Sequence, residues 1–259
     1  MSNKTVVVSH RGPVATITLS RPAVFNALDR ALVDDLTAAL GAAVADQTVR
    51  SIILTGAGKA FCAGGDLTYL TALTVDPIAF RRFIEDVGKV AALIMSLEKP
   101  VIAMVNGVAA GAGFNLALAC DIVFAARSVR FVQSFAKVGL VSDMGGMYLL
   151  PRLVGTHKAK ELMFTADSID AATAHGLGLV NHVVDDDDLP DATAAFASRL
   201  ADGPPVAISC MKRVIDRSLD LATVLAAEAD LQTICAATAD HAEGVAAFRE
   251  KRKPIFTGK

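Results

Sequence analysis

Hydrophobic and polar positions change period several times along the chain, and each change marks an element. "TVVVSHRGPVATITLSRP" holds two β-branched runs separated by Gly12-Pro13, which predicts a hairpin. "ALDRALVDDLTAALGAAVA" repeats apolar residues at helical spacing and predicts an amphipathic helix. "RSIILTG" is short, wholly apolar and closed by glycine, as a buried parallel strand is. A helix over residues 78 to 96 follows, then a strand in "KPVIAMVNG", a helix from about residue 112 and a strand in "DIVFAA". Strands alternating with helices predict an α/β fold of βαβ units with right-handed crossovers.

After residue 188 the pattern loses its strands. "DDDD" at 185 to 188 reads as a solvated loop. "LPDATAAFASRLADG", "PPVAISCMKRVIDRSL" and "LATVLAAEADLQTICAATAD" read as Ala-rich helices of the kind that cover a domain or pack on another subunit. The expected organisation is a core over residues 1–188 and a helical region over 189–259. No low-complexity tract or solenoid repeat is evident.

Residues 101 to 126 form an apolar stretch long enough to span a bilayer. Asn106, Asn115, Asp121 and three glycines divide it into strand, turn, helix and strand, and such polar groups are costly in lipid, so it reads as a buried core. The start of the chain lacks the apolar segment of a signal peptide, and a cytoplasmic location is expected. With 53% hydrophobic and 20% charged residues the chain is globular. Its net charge of −2 gives no reason to expect nucleic acid or an anionic membrane as partner. Cys62, Cys120, Cys210 and Cys235 form no C-x-x-C pair, so free thiols are expected and neither a disulfide framework nor a zinc site.

Among the glycine-rich stretches, "GAGK" at 56 to 59 fails as a phosphate loop. Ile53 stands where the first glycine is needed, and Ala60 where Ser or Thr would bind magnesium. "GAGFNL" lacks the third glycine of a dinucleotide fingerprint. "AFCAGGDL" (60–67) and "NGVAAGAGFNLALACD" (106–121) say more, because each follows a buried strand, where open α/β sheets hold ligands. Two such loops, each offering one N–H, could form an oxyanion hole; tight turns and close packing explain the same glycines. "GLVSDMGG" places a lone carboxylate, Asp143, among glycine and apolar residues. It caps a helix beginning near Met144, or it is an acid/base whose charge an apolar pocket discourages.

These two loops, together with "GLVSDMGGMYLLPRLVG" and the closing "EGVAAFREKRKPIFTGK", resemble the crotonase, or enoyl-CoA hydratase/isomerase, superfamily over nearly the whole chain. The resemblance implies a spiral of ββα and βαβ turns followed by a C-terminal helical trimerisation region, assembled as a homotrimer or homohexamer. It implies an acyl-coenzyme A thioester substrate, with no metal and no cofactor beyond the coenzyme A of that substrate. Position by position, the oxyanion donors are the N–H groups of Gly65 and Ala112. Ala63, Gly64, Asp66, Gly111 and Asn115 then lie along the substrate. Phe135 and Tyr148 line the acyl pocket or simply pack the core, and Asp66 also reads as a helix cap. Lys253, with Lys251 and Arg252, reaches the phosphates of coenzyme A or belongs to a solvated basic tail.

Departures from the family pattern narrow the activity. Hydratases of the family use two glutamates; this chain has Asn115 and Phe135 at those positions. An aspartate at the position of Asp143 is found in enoyl-CoA and dienoyl-CoA isomerases and in the ring-epoxide isomerase of phenylacetate breakdown, the group whose pattern is nearest. The 4-chlorobenzoyl-CoA dehalogenases share the aspartate but pair it with a tryptophan and a histidine that this chain lacks. With the constellation complete, Asp143 reads as catalytic rather than as a cap, and the chain as an isomerase shifting a double bond. The alternatives are an enoyl-CoA hydratase, a 1,2-epoxyphenylacetyl-CoA isomerase and a non-catalytic acyl-CoA binding protein.

Overall fold

The computed structural model describes residues 4–217 and 220–259. The hairpin forms as predicted, β1 (Val6–Arg11) antiparallel to β2 (Val14–Leu19). Parallel strands β3 (Ser51–Gly56), β5 (Val101–Val105), β7 (Ile122–Ala126) and β10 (His182–Val184) extend it into a six-stranded sheet in the order β1-β2-β3-β5-β7-β10. β3 is buried at every position, which is why its sequence is continuously apolar instead of alternating.

A second sheet was not foreseen from the sequence. β4 (Ala60–Cys62), β6 (Val108–Ala110), β8 (Arg130–Val132) and β9 (Ser168–Asp170) form a four-stranded sheet in that order. Three times in succession the chain lays down a long strand in the first sheet and a three-residue strand in the second: β3 then β4, β5 then β6, β7 then β8. This recurrence makes the spiral. The hydrophobic stretch at 101 to 126 spans β5, β6, the helix α4 (Ala112–Leu118) and β7, within one turn of it. No helix among the described residues is long and apolar enough to cross a membrane.

Helices α1 (Arg30–Ala45), α2 (Leu67–Leu73) and α3 (Pro77–Ser96) connect the first turns, each opened by an aspartate cap: Asp29, Asp66 and Asp76. α5 (Gly146–Thr165), interrupted at Gly155, and α6 (Ala171–Gly176) complete the spiral. Beyond residue 188 the described chain is helical, as expected: α7 (Leu189–Ala201), α8 (Pro205–Ile215), α9 (Leu221–Ala236) and α10 (Ala239–Glu250). α7 nevertheless packs with the core. Ser51 Oγ donates to Ala197 O at 3.0 Å, and Phe196 meets Phe124 edge to face at 5.2 Å. α8 is tied to the spiral by Lys212, whose buried Nζ donates to Ile94 O and to Asp121 Oδ2, both at 2.8 Å.

Candidate active site

The first glycine loop leaves β4 and is held by the segment before α1. Leu28 N donates to Gly64 O and Asp66 N to Leu28 O, a parallel bridge that turns the intervening Gly65 N–H to the opposite side. Gly64 has φ +91, and a Cβ built on it would stand 2.8 Å from Ala110 O and 3.4 Å from the Ala112 nitrogen. Glycine is required there both by the backbone and by the approach of the second loop. The two loops therefore lie side by side.

In the second loop Gly111 N donates to Val132 O, and Gly111 precedes α4 as its N-cap. Ala112 is the first residue of α4, so its N–H has no intrahelical partner. Among the described residues neither Gly65 N–H nor Ala112 N–H donates to another group of the chain. Two such donors on adjacent loops are chemically suited to an oxygen that gains negative charge.

Asp143 lies on the turn before α5. The sequence places the helix start near Met144 with Asp143 as a possible cap; the structure corrects this. α5 begins at Gly146, its N-cap is Gly145 in the left-handed region, and no side chain caps it. Met144, between them, also has positive φ, +48. The Asp143 carboxyl therefore makes no capping bond to the helix it precedes. Asp143 Oδ1 is buried without a hydrogen-bond partner, and burial raises the carboxyl to about 6. Burial pushes the thiol of Cys62, in β4, up to about 12, the Asp143 charge adds to this, and the thiol stays neutral.

Asn115, on α4, is completely buried. Its Nδ2 donates to Asp143 O at 2.9 Å and to Ser142 Oγ at 3.0 Å, and its Oδ1 accepts from Gln133 Nε2 at 2.7 Å. Every polar atom of this amide is thus engaged within the protein. Phe135 stands in the 3-10 turn Ser134–Val138, its ring 3.6 Å from where a Gly111 Cβ would be. Gly64, Gly65, Gly111, Ala112, Asn115, Phe135 and Asp143 are therefore brought together. Ala63 joins them through the first loop, its N–H donating to Phe25 O.

Three other expected residues have different company. Asp66 caps α2 through Thr68 N and Tyr69 N and pairs with Arg21 at 3.1 Å. Tyr148 lies under the Arg152 guanidinium and lines a cavity of about 660 Å³ with Met95, Leu118, Met211 and Lys212. Lys253 pairs with Asp202 at 2.8 Å, and Arg252 lies between Glu243 and Glu250, so this basic tail is joined to the chain's own carboxylates. Sequence reasoning missed Gln133 and Ser142. Their signal was a polar side chain closing each of two apolar runs, "FVQ" and "GLVS".

A family model described as "Enoyl-CoA hydratase/isomerase" matches residues 9–259. The chain belongs to the enoyl-CoA hydratase/isomerase family. Family members similar to it carry both kinds of name. A Rhodobacter capsulatus protein named probable enoyl-CoA hydratase is 42% identical over all of both chains. The 1,2-epoxyphenylacetyl-CoA isomerase of Escherichia coli is 41% identical over 95% of each. Among solved structures, an enoyl-CoA hydratase from Bacillus anthracis superposes with a TM-score of 0.94 at 34% identity, covering 98% of this chain and all of the other. The protein is thus an enzyme of this family with the crotonase fold.

Proposed function

We propose that this enzyme is an acyl-CoA thioester isomerase that moves a double bond from C3 to C2 of the acyl chain. Asp143 is its acid and base, and the Gly65 and Ala112 N–H groups are its oxyanion donors. The observation that carries the reading is the Asp143 carboxyl: buried, with an unpartnered oxygen, and raised to about 6. Such a group is mostly ionised at neutral pH yet basic enough to take a carbon-bound proton acidified by a polarised thioester.

The chemistry balances with one carboxylate. Ionised Asp143 removes a C2 proton, and the C–H electron pair flows into the thioester carbonyl, giving a dienolate whose oxygen the two N–H groups hold. The same carboxylic acid returns the proton at C4 while the carbonyl re-forms and C2=C3 appears. Coenzyme A belongs to the substrate, and the step calls on no other cofactor. Hydration draws less support. It activates water at one carbon and protonates its neighbour, and the positions of the two family glutamates hold Asn115, whose amide is fully engaged, and Phe135. Isomerisation of a ring epoxide on a coenzyme A thioester is a second reading, favoured by the likeness to the Escherichia coli enzyme of that name.

We further propose that the enzyme works as a trimer or hexamer. The apolar helix α9 has no buried residue, and exposes Leu221, Leu225 and Ile234. Light scattering at micromolar concentration tests this, and a monomer refutes it. The activity is tested with purified enzyme and a panel of 2-enoyl, 3-enoyl and ring-epoxide coenzyme A thioesters. Turnover of 3-enoyl thioesters to 2-enoyl products is expected. Rapid hydration of 2-enoyl thioesters with 3-enoyl thioesters untouched would overturn it.

A further inference from the structure

Asn115, Gln133 and Ser142 form a closed ring of side chains beneath Asp143. The Asn115 amide donates to Ser142 Oγ at 3.0 Å, Ser142 Oγ approaches Gln133 Oε1 at 3.5 Å, and Gln133 Nε2 returns to Asn115 Oδ1 at 2.7 Å. All three residues are more than nine-tenths buried. The second Asn115 hydrogen leaves the ring and is given to Asp143 O at 2.9 Å; that oxygen also accepts from Gly146 N at 2.8 Å. The turn closes so tightly on this amide that a Cβ on Gly146 would run into Asn115 Nδ2 and Ser142 Oγ.

We infer that Asn115, Gln133 and Ser142 are positioning residues, which lock the peptide plane of Asp143 and so aim its carboxyl at the substrate carbon. The inference rests on the reading of Asp143 as the base. A buried polar ring with every member satisfied specifies one geometry, because a rearranged ring leaves a buried donor or acceptor unmet. Two donors on one carbonyl oxygen remove the rotation of the Asp143–Met144 peptide that would otherwise swing the side chain. The ring spends its one outgoing hydrogen bond on the main chain of Asp143 and leaves Oδ1 bare, which is the arrangement a base needs and a mere loop anchor does not. It also gives Asn115 a task that a glutamate could not perform, since a carboxylate has no hydrogen to give to the Asp143 carbonyl.

The elements around Asp143 bring few other charges to it. Burial is the cause of its raised value, no ionised neighbour contributes, and Cys62 facing it from β4 is neutral. A titration of Asp143 therefore reports its own surroundings.

The test compares wild type, Ser142→Ala, Ser142→Thr, Asn115→Asp and Asp143→Asn, all as full chains. Two readouts are used: isomerisation of 3-hexenoyl-CoA, and titration of the Asp143 carboxyl by 13C NMR, assigned by its loss in Asp143→Asn. Ser142→Ala is expected to lower kcat about tenfold with KM unchanged, the size of effect that a small misplacement of a catalytic group produces. Ser142→Thr keeps the hydroxyl and is expected to recover most of the rate. Asn115→Asp turns the donor into a second carboxylate and is expected to raise the Asp143 titration above its wild-type midpoint. If Asp143→Asn is inactive while Ser142→Ala and Asn115→Asp keep wild-type kcat per folded molecule and the wild-type titration, the ring is only structural and the inference fails alone. If Asp143→Asn retains activity, the reading of the base fails and the inference falls with it. Should Asn115→Asp not fold, the Ala and Thr variants of Ser142 decide the matter.

Discussion

Asn115 and Asp143 meet through the main chain and not through their side-chain ends. The Asn115 amide donates to the Asp143 carbonyl oxygen at 2.9 Å, while Asp143 Oδ1 is buried with no partner. One residue thus has its carbonyl oxygen doubly engaged and its carboxyl Oδ1 uncommitted. This separation makes the role of the carboxyl open to test by a substitution that disturbs nothing else.

Asp143→Asn is expected to fold normally, because the carboxyl caps no helix and accepts no bond from another residue that the amide would have to replace. Isomerase kcat is expected to fall by about a hundredfold or more, the loss usual on removing a general base. Steady-state kinetics with a 3-enoyl thioester, beside a far-UV spectrum of the variant, checks this. Undiminished turnover counts against Asp143 as the base.

The pH dependence follows from the same carboxyl, with opposite signs for activity and stability. As base, Asp143 must be ionised, so kcat/KM is expected to rise with pH through an apparent value near 6 and then level off. Stability moves the other way. A carboxyl held above its unfolded value of 3.8 binds its proton more tightly in the native state, so ionising it costs folding energy as pH rises from about 4 to 6. The gap between 3.8 and about 6, at 1.36 kcal/mol per pH unit, bounds the cost at about 3 kcal/mol. Urea unfolding at pH 4 and pH 8 is expected to show Asp143→Asn gaining on wild type at the higher pH. Equal differences at both values contradict the assignment.

Gly64→Ala places a Cβ 2.8 Å from Ala110 O at a residue with φ +91. Left-handed strain at such a site costs about 1–3 kcal/mol. The larger effect is expected on chemistry, since relief of the clash pushes apart the loops bearing the Gly65 and Ala112 N–H groups. A fall in kcat/KM of about tenfold or more is expected, as for other small misplacements of catalytic groups. Thermal unfolding beside kinetics separates the two effects, and full activity in a destabilised protein refutes the shared oxyanion hole.

Lys212→Ala removes the buried cation that fastens α8 to Ile94 O and Asp121. Asp121, which burial already raises, is left with Val101 N as its remaining strong donor. Breaking a buried pair from one side costs about 3–5 kcal/mol. Pairing Lys212→Met with Asp121→Asn keeps an acceptor for Val101 N and is expected to restore most of the loss. Chemical denaturation of both variants checks the pair.

Much of this was legible in the sequence, for physical reasons specific to each element. The long strands could be read because β3 is buried on both faces, so it is apolar throughout, and α1 because its core face repeats at helical spacing. The second sheet could not be read, because β4, β6, β8 and β9 have three residues each, too few for any period to emerge. α10 was overlooked for a related reason: only Asp240 and Ala247 are buried along its twelve residues, leaving it without an apolar stripe. In the candidate site the glycine loops and Asp143 could be picked out by their composition. The ring of Asn115, Gln133 and Ser142 could not, because it joins residues up to 27 positions apart that become neighbours only when the spiral closes.

α4 carries two parts of the site on a single rod of seven buried residues. Ala112 opens it and Asn115 stands about one turn further on, roughly 4.5 Å along the axis at 1.5 Å per residue. The helix pitch therefore works as a ruler between the proposed oxyanion donor and the proposed anchor of the base. A displacement of α4 as a rigid rod carries both residues together, so the proposed mechanism expects their spacing to be kept when the helix shifts. Turnover per folded molecule is then set to persist on warming until α4 itself comes loose from the core.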